Sequence, residues 1–98
     1  MQIVQLAQFT QFEWDENKAE SNVLKHHVTF DDASVALRRP HLEKSSNRSG
    51  EHRILATCPH TDMIIAVIYT PRGEKCRIIS ARPAKKHEQR AYRLVFYR

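Results

Sequence analysis

The stretch MIIAVIYTPRGEKCRIISAR, Met63–Arg82, decides the fold. Its first eight residues, Met63–Thr70, are apolar at nearly every position, as a strand covered on both faces requires. Pro71-Arg72-Gly73-Glu74 is turn chemistry, and Lys75–Arg82 returns as a second strand. Working back, Pro59–Asp62 is another turn. Glu51–Cys58 alternates between Arg53, Leu55, Thr57 and His52, Ile54, Ala56, Cys58, which predicts a third strand. Asn47-Arg48-Ser49-Gly50 turns the chain into it. Working forward, Pro83 suits the first position of a closing helix, with Ala84, His87, Glu88, Ala91, Leu94 and Val95 near one face. Upstream, Phe12-Glu13-Trp14 reads as a short strand. Asp15 then caps a helix that ends near His26-His27, with Ala19, Asn22, Val23 and His26 along one stripe. Thr29 and Asp32 form a capping box, with Val28 as staple, for a second helix carrying Phe30, Ala33, Val35, Ala36 and Leu37 and stopping before Pro40. The predicted order is β-α-α-β-β-β-α, an α+β domain whose antiparallel sheet has helices covering one face.

Ninety-eight residues make one domain, whose core is compact and leaves little room for a large pocket. Met1–Gln11 is glutamine-rich and alternates loosely at Ile3, Leu6 and Phe9. It reads as an N-terminal extension, either an added edge strand or a mis-assigned start, ahead of a domain over 12–98. The longest apolar run, Met63–Tyr69, is too short to cross a bilayer, and the start lacks the basic and apolar regions of a secretion signal. Cys58 and Cys76 fit a reducing cytosol, so the expectation is a cytoplasmic protein without a membrane partner. Charge is uneven. Residues 1–40 carry four basic and six acidic side chains, whereas 41–98 carry twelve and five. Ten of the sixteen cations are arginine, whose planar fork matches phosphate, so a polyanionic partner leads for the second half. Six histidines and two cysteines show neither CxxC nor HxxxH spacing, and two glycines cannot build a phosphate loop. Neither a metal nor another cofactor is expected.

Two stretches, FEWDENKAESNVLKHHVTF (Phe12–Phe30) and RIISARPAKKHEQRAY (Arg77–Tyr92), carry a resemblance. The first follows the pattern F-x-W-D-x-x-K-A-x-x-N-x-x-K-H-x-V-x-F, through Phe12, Trp14, Asp15, Lys18, Ala19, Asn22, Lys25, His26, Val28 and Phe30. The second follows R-I-I-S-A-R-x-A-x-x-x-E-x-x-x-Y, through Arg77 to Arg82, then Ala84, Glu88 and Tyr92. Together they resemble the BrnT family, the toxin halves of bacterial toxin–antitoxin pairs, over about residues 12–93. The resemblance implies a RelE-like, metal-independent endoribonuclease that inhibits translation and growth. It also implies a small BrnA-like antitoxin as partner and contact with operator DNA only through the complex with it. Departures are visible: His27 stands where the family has glycine, and Gln89 where an arginine follows the glutamate. Arg39 precedes Pro40 in place of an acidic residue, and the glycine expected after the E-x-R pair is missing among Ile54–Cys58.

RNA cleavage without a metal needs a cationic surround for the phosphorane and groups that move two protons. Arg77 and Arg82 lead, because a strand fixes the guanidinium in space. Strand parity separates them, so they share a site only if the strand twists or bulges near Ser80, or if Arg82 has already left it. Arg82 otherwise bonds the end of the first helix. Lys25 and His26 meet the negative end of that helix, either as proton-transfer and charge-stabilising groups or as a C-cap. Glu88 and Tyr92 are four apart and share a helix face. Glu88 reads as a support that pairs with Arg82, and Tyr92 either stacks a base or packs on the sheet. Arg53 matches the family's E-x-R position after Glu51, either as a phosphate contact or as a surface residue, and Arg72, in the turn Pro71-Arg72-Gly73-Glu74, is a further expected RNA contact. The rival reading is a basic binding module, an inactive toxin relic that only pairs with its antitoxin. A DNA-binding regulator acting alone lacks a helix-turn-helix signature.

Overall fold

The computed structural model describes residues 1–5 and 9–97, so Leu6, placed above in an alternation with Ile3 and Phe9, lies outside the described residues. The elements are β1 (Gln2–Val4), β2 (Gln11–Glu13), α1 (Glu16–His26), α2 (Phe30–Leu37), β3 (His41–Ser45), β4 (Ile54–His60), β5 (Met63–Arg72), β6 (Lys75–Pro83) and α3 (Lys86–Phe96). The sheet runs β1-β3-β4-β5-β6-β2, antiparallel throughout except where β2 lies parallel to β6. The α+β architecture with its mostly antiparallel sheet is as expected. Two strands go beyond the expected order: Gln2–Val4 forms an edge strand, and β3 fills the gap after Pro40.

The helix boundaries follow from capping chemistry. The Asp15 carboxylate accepts from the amides of Asn17 and Lys18 at 2.8 and 3.1 Å, and Thr29 Oγ1 accepts from Asp32 N at 3.0 Å. α1 closes on His27, held left-handed at φ 60°, a position where glycine carries no Cβ penalty. The closing helix corrects the expectation for Pro83. That residue ends β6, paired with Ile65, and α3 begins only at Lys86, where Glu88 reaches back to the Lys85 amide at 2.7 Å. The two prolines inside strands also pass their expected stops. Pro59 lies beyond the last β3 partner of β4, and Pro71 beyond the last β4 partner of β5, so each has a free edge where a missing N–H costs nothing.

The sheet carries helices on both faces, not one. Ile65, Val67, Tyr69 and Ile78 pack against Val28, Phe30, Ala33 and Leu37 of the α1–α2 layer. Ile64, one residue along β5 and therefore on the other face, packs with Leu42, Ala84 and Tyr92 beneath α3. α3 covers only that end of its face. β3 escaped the sequence reading because its inward positions are polar. His41 and Glu43 are 2% and 8% exposed, joined at 2.8 Å, and Tyr69 donates its hydroxyl to Glu43 at 2.6 Å. Burial alone would raise the Glu43 carboxyl, but the His41 and Tyr69 hydrogen bonds outweigh it and hold it low. His41 Nδ1 faces the Arg39 carbonyl at 2.7 Å, an acceptor only, so that nitrogen carries a proton.

Candidate nucleic-acid interface

The uncovered face is built around an irregularity in β6. Tyr69 pairs with Ile78 and Ile68 with Ser80, so Ile79 is an extra residue, a β-bulge. Cys76 and Ile78 face the α1–α2 core before it, and Ala81 faces the same core after it. Arg77, opposite Thr70, and Arg82, opposite Ala66, therefore emerge on the same face, five residues apart. Without the bulge, alternation would place them on opposite sides.

Around Arg77 the cations share too few carboxylates. Arg53 Nε donates to Glu51 at 2.6 Å, and Arg72 stands 3.9 Å from the other Glu51 oxygen. Glu13 accepts from Arg77 at 2.9 Å and lies 4.0 Å from Lys75. The Arg53 hydrogen bond, with charge from Arg72 and Lys18, holds the Glu51 carboxyl below its ordinary value despite some desolvation. Exposed pairs of this kind are screened by water and contribute little, so a phosphate can displace a carboxylate at little cost. Arg82 is held differently. Its fork grips Glu88 through two bonds of 2.8 and 3.0 Å, and Glu88 is only 4% exposed. Burial works to raise the Glu88 carboxyl, but the Arg82 fork and the Lys85 amide outweigh it and leave it lowered. Arg82 thus bonds α3, not the end of α1 offered as its structural alternative.

The outer edge of β6 is closed by a side chain. β2 pairs only with Lys75–Arg77. Farther along, the Asn22 amide accepts from Ala81 N at 3.1 Å and donates to Ala81 O and Val28 O, both at 2.8 Å. This clamp seats α1 against the strand and opens a shallow cleft of about 160 Å³, lined by Lys18, Ser21, Asn22, Lys25 and His26 with Ile79 and Ser80 of the bulge. The structure thus brings Lys25 and His26 beside the strand segment that separates Arg77 from Arg82. The cap of α1 is a backbone bond from His27 N to Val23 O, 2.9 Å long, not a His26 side-chain contact.

Tyr92 is core. It is 4% exposed, packed on Phe96 at 4.6 Å and edge-on to Tyr97 at 5.8 Å, which corrects the base-stacking alternative. Cys58 and Cys76 are buried free thiols, and burial pushes Cys76 up to about 12 and Cys58 well above its ordinary value, so neither presents a thiolate. Among the described residues no three His, Cys, Asp or Glu side chains gather as metal ligands. None of the helices is long and apolar enough to cross a membrane, again among the described residues. Sequence reasoning gave no role to Asn22, Lys18, Lys75 or Ser80. Asn22 did carry a signal: a polar residue on the buried stripe of a helix must find partners.

Comparison with known proteins agrees with the motifs. No curated protein matches the chain. The family model for the ribonuclease toxin BrnT of type II toxin–antitoxin systems matches residues 14–88, which take in α1, the Asn22 clamp, the bulged strand and Glu88. The chain belongs to the BrnT family of ribonuclease toxins.

Proposed function

We propose that this chain is a toxin that cleaves RNA without a metal ion, on a RelE-like fold, and so halts translation in the cytoplasm until an antitoxin binds it. The observation that carries the reading is the bulge at Ile79, which sets Arg77 and Arg82 on one face beside the cleft holding Lys25 and His26. In the proposed reaction the 2′-hydroxyl of RNA loses its proton and attacks the adjacent phosphorus in line. The P–O5′ bond breaks, and the 5′-oxygen takes up a proton. Arg77 offsets the charge of the phosphorane, exchanging Glu13 for a phosphate oxygen. Arg82, fixed by Glu88, presents its remaining N–H groups from a rigid anchor. Lys25 and His26 act as proton-transfer or charge-stabilising groups, and Arg53 and Arg72 hold the flanking phosphates. The partner is a BrnA-like antitoxin, and operator DNA is contacted through the complex.

The test is incubation of a defined RNA with purified protein in EDTA, with both new ends identified by mass spectrometry. A 2′,3′-cyclic phosphate and a 5′-hydroxyl are expected. Cleavage that needs an added divalent ion, or that leaves a 5′-phosphate, contradicts the mechanism. The carboxylates already paired with Arg77 and Arg82 favour one second reading, a basic module that pairs with its antitoxin and cuts nothing. RNA binding without cleavage, with free or translating ribosomes present, identifies it.

A further inference from the structure

The layer formed by α1 and α2 lies on the opposite face of the sheet from Arg77 and carries a second surface that the ribonuclease reading does not use. An open groove of about 390 Å³ runs between the two helices, with Trp14, Val23 and Phe30 among its apolar walls. Glu16, Glu20 and Asp31 rim it, and not one lysine, arginine or histidine lines it, in a chain with sixteen lysines and arginines. Among the described residues these three carboxylates form no ion pair, whereas Glu13, Glu51 and Glu88 each do. Glu16 and Asp31 complement helix dipoles in first turns, but Glu20 sits mid-helix and has no such role. Exposed apolar side chains follow the rim carboxylates at helical spacing. Leu24 follows Glu20 by four residues and is 81% exposed, Val35 follows Asp31 by four and is 59% exposed, and Val23 is 38% exposed.

We infer that this groove docks a cationic amphipathic helix of a protein partner, which inserts apolar residues between α1 and α2 and sets lysines or arginines against Glu16, Glu20 and Asp31. A groove between two helices takes a third through apolar anchors at i, i+3 and i+4, and unpaired carboxylates along its rim select a basic partner. The same carboxylates repel a phosphate backbone, so the groove is not an extension of the RNA face. The identification of that partner as the antitoxin rests on the toxin–antitoxin reading. The consequence is specific: the antitoxin holds the chain from behind the sheet, on residues that take no part in cleavage.

Trp14 is the single tryptophan of the chain and lines the groove, so its fluorescence reports occupancy. The full chain is titrated with a designed helical peptide bearing leucines at i, i+3, i+4 and i+7 between lysines, and with its counterpart carrying glutamates for the lysines. A saturable change in Trp14 emission with the lysine peptide only is expected. Binding should weaken by about tenfold or more in Glu16→Lys/Glu20→Lys/Asp31→Lys and stay unchanged in Arg77→Ala/Arg82→Ala. If charge reversal unfolds the helices, the neutral variant Glu16→Gln/Glu20→Gln/Asp31→Asn serves, with a smaller loss expected. Four results overturn the inference: no response to the lysine peptide, an equal response to the glutamate peptide, unaltered affinity in the rim variants, or a Trp14 response to an RNA oligonucleotide. Concentration-dependent self-association that closes the groove overturns it too, since the occupant is then a second copy. Failure of the ribonuclease reading appears only in the cleavage assay, where no peptide is present.

Discussion

One amide, that of Asn22, takes the place of a strand along the outer edge of β6. It makes three hydrogen bonds, two with Ala81 and one with Val28, and is 6% exposed. Asn22→Ala leaves buried backbone groups unpaired and should cost about 2–4 kcal/mol, read from urea denaturation. Loss below 1 kcal/mol would mean that water replaces the amide. Cleavage should fall along with stability, because the clamp seats Lys25 and His26 beside the bulge. His27 offers the opposite case. Its φ of 60° is strained for any side chain, so His27→Gly should add about 0.5–1 kcal/mol, a higher denaturation midpoint at unchanged slope. The same substitution should leave cleavage intact, since the cap is made by the backbone. Both residues were legible in part: His27 as a side chain in a glycine position, Asn22 as a polar group on an apolar stripe. What Asn22 touches was not legible, because Ala81 lies 59 residues away.

Elements were readable where local chemistry decides them and hidden where distant partners do. α1 and α2 announce themselves through Asp15 and Thr29, whose side chains cap their own helices. β3 does not, because His41 and Glu43 look like loop residues until the Tyr69 hydroxyl, 26 positions on from Glu43, satisfies them. The ends of β4 and β5 were misjudged because a proline is tolerated wherever the neighbouring strand has already stopped, a fact of sheet order and not of sequence. The bulge was legible only as a condition, placed near Ser80, for Arg77 and Arg82 to share a site; that Ile79 is the extra residue is set by the register with β5. α3 is tied to that strand by Arg82 and Glu88. Glu88 and Glu43 are both held below the ordinary 4.5, so the unfolded chain takes up protons first as pH falls. Their contribution is complete above about pH 4.5 and is lost below it, as pH passes through the lowered folded values. Glu88→Gln should therefore be less stable at pH 7, by about 1–3 kcal/mol given that Arg82 keeps some water, and should lose less on acidification. Thermal denaturation between neutral and acid pH reads both effects, and parallel curves for the two proteins would contradict them.

At the scale of the molecule the sheet separates two kinds of surface. One face carries Arg53, Arg72, Lys75, Arg77 and Arg82 with few carboxylates to offset them, and the helix layer behind carries the acidic groove. Five of the twelve cations in the second half of the chain thus gather on one face, which composition alone could not say. RNA affinity should fall with salt, and Arg53→Ala/Arg72→Ala should reduce the slope of log K against log salt by about 1.4, two single-strand phosphate contacts at about 0.7 each. An unchanged slope would place those arginines off the RNA path. The bulge that places Arg77 and Arg82 in one site is the centre of the proposed ribonuclease. Cleavage of a defined RNA in EDTA should therefore be compared between the native chain and Arg77→Ala/Arg82→Ala, each shown folded by circular dichroism. The native protein should cleave, with a loss of about a hundredfold or more in the variant, the scale of removing transition-state charge stabilisation. Equal cleavage by both proteins would contradict this prediction.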